Sequence, residues 1–552
     1  MKASDLFVRC LEAEGVTHIF GVPGEENADI MISLNDSPID FVLCRHEQAA
    51  AFIADVYGRL TGKAGLCLGT LGPGATNLIT GVADANMDRA PMVVITGQAN
   101  TRRMHKESHQ HMDVVAMFRP VTKWSQAVYH PENIPEIVRK AFKVAVSEKP
   151  GAVLIELPED LAEEEVDGVP MIPARTRRGG ADHKAVAEAV KVIGNAKNPL
   201  ILAGNGAVRK RAAAQLKRLA DLSGMGVVNT FMGKGAVPRG DKHCLFTIGL
   251  QGRDYINLAF DECDAVITVG YDLVEYAPAF WNRGRDKKIV HIDFTPAEID
   301  AAYPVAAEVV SDIADALWQI NEKLEAEYAG QLPLFDINQR TKLRGHILDD
   351  FAMEKDDDSF PVKPQKVLWD VREFLGPEDI LLSDVGAHKM WIARYYQCDE
   401  PNTCLISNGF CTMGFALPGG IGAKIAHPDR KVLAICGDAG FLMNVQDLET
   451  AVRLKKNVVV MIWMDGEYGL IKWKQQNAFD GAHSELAFNN PDFELLAKSF
   501  GMWGRTLDGP GQIPAALDEA FRQDGPALIG VPIEYAENRK LTERLGNLAV
   551  SI

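Results

Sequence analysis

The sequence predicts an α/β protein built from three doubly wound parallel-sheet domains. Three observations carry that expectation. Strand-like apolar runs alternate with helical patterns along the whole chain, the pattern of parallel sheets flanked by helices. At 552 residues the chain is too long for one hydrophobic core and should divide into several domains. Two polar stretches interrupt the rhythm, at about 160–182 (EEEVDG, then PARTRRGGAD) and about 330–362 (ending EKDDDSFPVKP). The first reads as a linker, and cutting at both leaves the expected domains 1–163, 185–330 and 363–535, followed by a tail at 536–552.

The elements follow in order. MKASDLFVRCLEAEG mixes charges into an amphipathic helix and lacks the apolar centre of a signal peptide. FVLCRHE (41–47), PMVVITGQ (91–98) and AVLIELP (152–158) are the strands of the first block. PLILAGNG (199–206), AVITVG (265–270) and KIVHIDF (288–294) belong to the second, and KVLAICGD (431–438) and VVVMIWMD (458–465) to the third. The longest apolar stretches, such as Val458–Met464, are strand-sized and far short of a membrane span.

Composition narrows the function. Hydrophobic residues at 47% and charged residues at 24% fit a globular protein. A net charge of -17 argues against a general nucleic-acid binder, although backbone donors and a metal can still hold an anion. The nine cysteines form no Cys-x-x-Cys pair, and several lie inside apolar runs. That fits buried thiols in a reducing cytoplasm rather than a disulfide framework.

The sharpest signal lies in the third block. KVLAICGDAGF is an apolar strand ending in Gly437-Asp438-Ala439-Gly440; a helical stretch follows, and a second apolar strand ends at Asp465. A right-handed crossover places both carboxylates at the carboxyl ends of parallel strands, where open α/β sheets bind ligands. Two such carboxylates suit Mg²⁺, which prefers oxygen ligands and shares its shell with phosphates. The N–H groups of Ala439 and Gly440 could face a phosphate. A Gly-Asp after a strand is common by itself; the second Asp at the next strand end makes the pattern specific.

These residues resemble the thiamine-diphosphate-dependent enzymes, which carry a Gly-Asp-Gly motif followed about two dozen residues on by an Asn or Asp. Here Ala439 takes the third place and Asp465 the second metal position. The resemblance implies Asp438 and Asp465 as metal ligands, with a backbone carbonyl at Glu467. It also places Gly437, Gly440 and the run Tyr468, Gly469, Leu470 in the cofactor cradle. SDVGAHKMW (383–391) is similar to the family's diphosphate turn, through Gly386, Ala387 and His388. SNGFCTMGFALPGGIGA (407–423) is similar to the segment under the thiazolium ring. There Met413 matches the residue that bends the cofactor, and Cys411 would offer its carbonyl to the aminopyrimidine. Without the family, Met413 is simply a core methionine.

In the first block, Glu47 stands where a strand meets the helical QAAAFIADVYGRLTG. By residue type it is a helix-start acid favoured by the dipole. The RHE-x-x-A-x-x-A-x-x-x-G-R-x-T-G pattern resembles the family's activating glutamate. A carboxylate in apolar surroundings keeps a proton more readily, so it could exchange one with N1′ of the cofactor pyrimidine. Gly21-Val22-Pro23-Gly24 and Gly72 through Asn77 are turn-rich loops suited to an active-site rim. In HKESHQHMD (105–113), Gln110 matches a glutamine near substrate in carboligating relatives. His109 and His111 there are proton carriers or a solvated loop, and no ligand set for zinc accompanies them.

In the middle block GNGAV is not a full dinucleotide fingerprint. GYDLVEYAPAFWN (270–282) lacks the arginine pair of flavin-binding synthases, which implies a structural domain. The chain as a whole resembles the flavin-independent, catabolic acetolactate synthases. That resemblance implies decarboxylation of a 2-keto acid, pyruvate, and ligation to a second pyruvate to give 2-acetolactate. It also implies thiamine diphosphate and Mg²⁺ as cofactors, and a homodimer or homotetramer whose sites are shared between chains. Two positions depart from the pattern: Lys474, beside Trp473, replaces a glutamine, and Glu25 follows Pro23-Gly24 where simple decarboxylases carry an acid. A non-oxidative 2-keto acid decarboxylase or another carboligase is the alternative, and a non-catalytic protein of the same fold is a third.

Overall fold

The computed structural model describes residues 1–174, 177–249, 255–538 and Leu541. Among them, eighteen strands form three six-stranded sheets, every ladder parallel. The first sheet holds β1 (His18–Gly21), β2 (Asp40–Leu43), β3 (Gly65–Gly69), β4 (Met92–Gln98), β5 (Trp124–Ala127) and β6 (Ala152–Pro158), in the order β2-β1-β3-β4-β6-β5. The second holds β7 (Pro199–Ala203), β8 (Gly226–Asn229), β9 (Cys244–Thr247), β10 (Ala265–Val269), β11 (Lys288–Asp293) and β12 (Val305–Val310), ordered β12-β11-β10-β7-β8-β9. The third holds β13 (Ile380–Ser383), β14 (Cys404–Ile406), β15 (Val432–Gly437), β16 (Val458–Met464), β17 (Trp503–Thr506) and β18 (Ala527–Pro532), ordered β14-β13-β15-β16-β18-β17. Central strands such as β4, β7 and β10 are buried at every residue, because helices cover both faces of a parallel sheet. Their near-continuous apolar runs are what such burial requires.

The first and third sheets share one strand order. Each therefore reverses direction at the same place, between its first and third strands, and opens a crevice there. The helix after β2 (Glu47–Thr61) and the helix after β14 (Ala416–Ala426) occupy equivalent positions and pack on each other. Their approach is close: a Cβ at Gly422 would lie 2.5 Å from the Ile53 carbonyl oxygen. Phe52 meets Phe415 edge-on at 5.8 Å. One apolar core runs from Phe20, Val56 and Val94 in the first unit to Ile421, Ala434 and Ile462 in the third, while the second unit keeps a core of its own.

The stretch at 330–362, where the sequence loses its strand–helix rhythm, contains the helix Asn338–Ala352. Ile347 sits in the second unit's core, and Arg340 bonds Asn198 at 2.9 Å and Glu262 at 3.3 Å. Its charged residues masked a helix whose stability comes from tertiary contacts rather than from an amphipathic stripe. The first interrupting stretch also starts helical, at Glu159–Glu163. Of the expected tail, residues 539, 540 and 542–552 lie outside the described residues. Among the described residues, no helix is long and apolar enough to cross a membrane.

Candidate active site

β15 and β16 are neighbours in register, with Gly437 beside Trp463, so the residues that follow them are set side by side. Asp438, 1% exposed, opens the short helix Asp438–Leu442. Its Oδ1 accepts the Ala439 N–H at 2.9 Å, and its Oδ2 accepts from Asp465 N (3.1 Å), Gly466 N (2.8 Å) and Asn490 Nδ2 (2.7 Å). Burial, and then the Asp438 carboxylate, push Asp465 up to about 7. Two carboxylates this close, one of them with raised proton affinity, form a donor set that a divalent cation relieves. Among the described residues no third acidic, His or Cys side chain joins them. The Glu467 side chain turns aside to pair with Lys472 at 2.5 Å.

Gly386, Ala387 and His388 begin the helix Ala387–Tyr395 in the crevice after β13. His388 is 2% exposed and its Nε2 has no hydrogen-bond partner among the described residues. Burial lowers its pKa to about 3, so the ring is neutral. The ring lies against Gly386 and Gly437 and meets Trp463 edge-on. An orphaned imidazole nitrogen at a helix N-terminus, next to two carboxylates, fits an anion carried with a cation.

The segment 407–416 crosses the same crevice. Asp384, buried and pushed up to about 6 by that burial, accepts the N–H groups of Gly414 (2.9 Å) and Ala416 (3.2 Å). Cys411, in a left-handed conformation at φ 57°, is exposed and donates its thiol to the Asn408 carbonyl at 2.9 Å. Met413 is half-buried beside it. Lys389 lies 2.9 Å from the Ser407 carbonyl and 3.0 Å from Cys411 Sγ. Lys474, on the helix Gly469–Ala478, faces this group: burial lowers its pKa, and the charges that act on it are Cys411 and Lys389. Among the described residues no carboxylate pairs with it. Tyr468 caps that helix and its ring meets Phe488 at 5.4 Å, while Leu470 opens the first turn.

A second cluster lies in the equivalent crevice of the first unit. Glu47, 8% exposed, starts its helix behind an N-cap from His46. Asn77 donates to Glu47 Oε2 at 2.9 Å from the helix Pro73–Met87. Gly74 packs between Glu47 and Thr70, and Gly24, next to Pro23, packs on Thr70. Gly72 sits beneath Gln110, whose backbone is left-handed at φ 56°. Glu25 is exposed on the turn Glu25–Asn27; the buried acid there is Glu26, which accepts a hydrogen bond from Thr70 Oγ1 at 2.8 Å. His111 reaches the Gln98 side-chain oxygen at 3.2 Å, and His109 is exposed. Among the described residues no hydrogen bond or ion pair joins Glu47 to Asp438 or Asp465.

Sequence reasoning missed Asn490, Lys389, Asp384 and Tyr535. Asp384 carries the same signal as Asp438, an acid directly after an apolar strand. Asn490 and Tyr535 reach the site through loops, and no local pattern marks them. Tyr535 is pushed well above the ordinary tyrosine range by burial and then by Asp465 and Asp438.

Comparison with known proteins agrees with this arrangement. Residues 1–117 match the family model described as thiamine pyrophosphate enzyme, N-terminal TPP binding domain; residues 186–320 match its central domain and 384–531 its C-terminal TPP binding domain. The chain is 35% identical over 545 residues to the acetolactate synthase of Bacillus subtilis (strain 168), covering 98% of this chain and 94% of that one. It is 35% identical over 545 residues to the catabolic acetolactate synthase of Raoultella terrigena, with 98% and 97% covered. With the acetolactate synthase isozyme 2 large subunit of Escherichia coli (strain K12) the identity is 32% over 540 residues, with 98% and 96% covered. The chain belongs to the thiamine pyrophosphate enzyme family.

Proposed function

We propose that this protein is an acetolactate synthase, which decarboxylates pyruvate and joins the remaining two carbons to a second pyruvate. The near full-length relatives with that name support the chemistry. The observation that favours ligation over simple decarboxylation is Lys474, a half-buried cation with no carboxylate partner among the described residues, beside Cys411 and Lys389. It suits the carboxylate of a second 2-keto acid, whereas a proton as acceptor needs no cation.

The cofactor is thiamine diphosphate, which when bound supplies the nucleophilic carbon and the electron sink for loss of CO₂. The residues present fit it. Asp438 and Asp465 would hold Mg²⁺, helped by the Glu467 carbonyl, with Gly437, Ala439, Gly440, Gly469 and Leu470 lining the cradle. The unpartnered Nε2 of His388, with the N-terminus of its helix at Gly386 and Ala387, would face the diphosphate. Met413 would support the bend of the cofactor and the Cys411 carbonyl its amino group. Glu47 would exchange a proton with the pyrimidine N1′. Asn77 holds Glu47 Oε2, and Oε1 has no hydrogen-bond partner among the described residues. Pro23, Gly24, Gly72 and Gln110 would rim the pocket, Gln110 orienting the acceptor. Glu25, exposed in the single chain, would sit at that rim.

The reading divides the chain into a pyrimidine-binding domain (1–163), a central domain (185–330) and a diphosphate-binding domain (363–535), and each sheet falls inside one of these ranges. Among the described residues Glu47 and the Asp438–Asp465 pair lie in separate crevices of one chain, an arrangement that suits a homodimer or homotetramer with sites completed between chains. The reading takes the protein as cytoplasmic. Product analysis after incubation with pyruvate, thiamine diphosphate and Mg²⁺ tests the assignment: 2-acetolactate is expected, and acetaldehyde as the sole product would overturn it.

A further inference from the structure

The turn that carries Cys411 and Met413 belongs to the third unit, yet its beginning is held by the first. Arg59 Nη1 donates to the Ile406 carbonyl at 3.0 Å. Ser407 Oγ donates to Asp84 Oδ1 at 2.6 Å and accepts the Thr412 N–H at 2.9 Å. The two oxygens of Asp88 divide the next two peptides: Oδ2 accepts Asn408 N at 2.8 Å and Oδ1 accepts Gly409 N at 2.6 Å. Arg59 holds Asp88 in place at 3.1 Å while its Nε and Nη2 fork onto Asp55 at 2.5 and 3.0 Å. The second unit closes the junction, with Asn205 Nδ2 donating to the Asp88 carbonyl at 3.1 Å.

Stability alone does not account for this cluster. Three carboxylates and one guanidinium are buried here, and desolvating such a group costs about as much as its attractions return. Much of the remaining contact between the first and third units is apolar, as at Phe52–Phe415, and binds them without that cost; the polar bonds elsewhere, such as the Arg45 N–H to Asp447 Oδ1 at 3.0 Å, do not touch the 406–409 peptides. What a bidentate, directional acceptor adds is geometry. The Asn408 carbonyl accepts the Cys411 thiol and the Ser407 carbonyl accepts Lys389, so fixing peptides 406–409 fixes the left-handed turn at Cys411 that follows them.

We propose that Asp88 and Arg59 are positioning residues for thiamine diphosphate in the third unit of their own chain, setting the turn that presents the Cys411 carbonyl and the Met413 side chain. The proposal rests on the reading that this turn lies under the thiazolium ring. The first unit would then serve catalysis twice, through Glu47 in one crevice and through Asp88 beneath another.

Asp88→Asn tests it, because an amide keeps the size but must turn its NH₂ toward one of the two peptide N–H groups. Binding of thiamine diphosphate with Mg²⁺ is read by quenching of tryptophan fluorescence, and the cofactor's set by its near-ultraviolet circular dichroism. The expected result is cofactor affinity weaker by about tenfold, from one buried N–H left unmatched, with an altered dichroism band. With saturating cofactor, kcat falls while KM for pyruvate stays within about twofold, as loss of an orienting contact demands. Unchanged affinity and dichroism, with only a lowered melting temperature, would show a structural role and sink the proposal. If Asp88→Asn does not fold, Ser407→Ala takes its place: weaker cofactor binding with an altered band supports the clamp, and a change in melting temperature alone overturns it. Glu47→Gln separates the two claims: it should lower kcat by about 10²-fold or more, and full activity of that variant would count against the catalytic reading and not against the clamp.

Discussion

At the residue scale, Glu47 shows how little a side chain's type says and how much its surroundings add. As a helix-start acid it would be exposed and replaceable. In the structure it is buried, tied to Asn77 and walled by Gly74 and Thr70, which suits a proton carrier more than a cap. Glu47→Gln should lower kcat by about 10²-fold or more, the usual weight of a positioned acid–base group, in a steady-state assay with pyruvate. Lys474 is the residue on which the substrate depends. Lys474→Gln removes the cation but keeps length and polarity, so the acceptor should bind about tenfold more weakly, as loss of a charge-assisted contact predicts. A rising share of acetaldehyde over acetolactate would report it; an unchanged product ratio would remove Lys474 from the acceptor site. Both residues were visible in the sequence as departures or matches within motifs. Asn490 and Lys389 were not, because their roles depend on loops folding back onto the crevice.

At the element scale, the loop after β16 is closely packed against the proposed metal ligand. A Cβ on Gly469 would lie 2.5 Å from Asp465 Oδ2, so only glycine allows this helix to begin against the carboxylate. Gly469→Ala should cost about 1–3 kcal/mol by overpacking and should weaken Mg²⁺ binding, read by calorimetric titration. β6 carries a different constraint. Glu156, 3% exposed, accepts a hydrogen bond from Gln98 at 2.8 Å, and burial raises its pKa from 4.5 to about 7, with Asp113 adding in the same sense. A raised folded pKa means the folded state holds the proton more firmly. The stabilisation is complete below pH 4.5 and is lost as pH rises through about 7. It amounts to about 3 kcal/mol across that window. Urea midpoints of wild type and Glu156→Gln should therefore diverge between pH 5 and pH 8, the variant showing the flatter profile. Gln98 also holds the Met112 carbonyl at 3.0 Å, so the same network steadies the loop that carries Gln110. The strands themselves were legible as apolar runs. The helix Asn338–Ala352 was not, since its charged face hid contacts that exist only once Glu262 and Asn198 are beside it.

At the scale of the whole molecule, the shared strand order of the first and third sheets gives two equivalent crevices on one chain. One holds Glu47 and the other the Asp438–Asp465 pair, and each lacks what the other carries. Glu47→Gln and Asp438→Asn should each be inactive alone. Co-refolded together, they should regain activity if a site draws one residue from each chain, since a mixed dimer keeps one site intact. No recovery in the mixture, against a wild-type control refolded alongside, would place each site within a single chain.

By itself the sequence determined the α/β class, the three blocks, the strand-end aspartates and the family, because apolar periodicity and short motifs are local properties. It could not show that the first and third units share a topology and a core, since strand order is not written in strand composition. Nor could it show that Asp438 is held by Asn490, that Lys474 stands near Lys389 and Cys411 without a carboxylate among the described residues, or that Asp88 grips the turn before Cys411. Those relations join residues as far as 321 positions apart, and only the folding of distant segments onto one crevice brings their dipoles and charges within reach of one another.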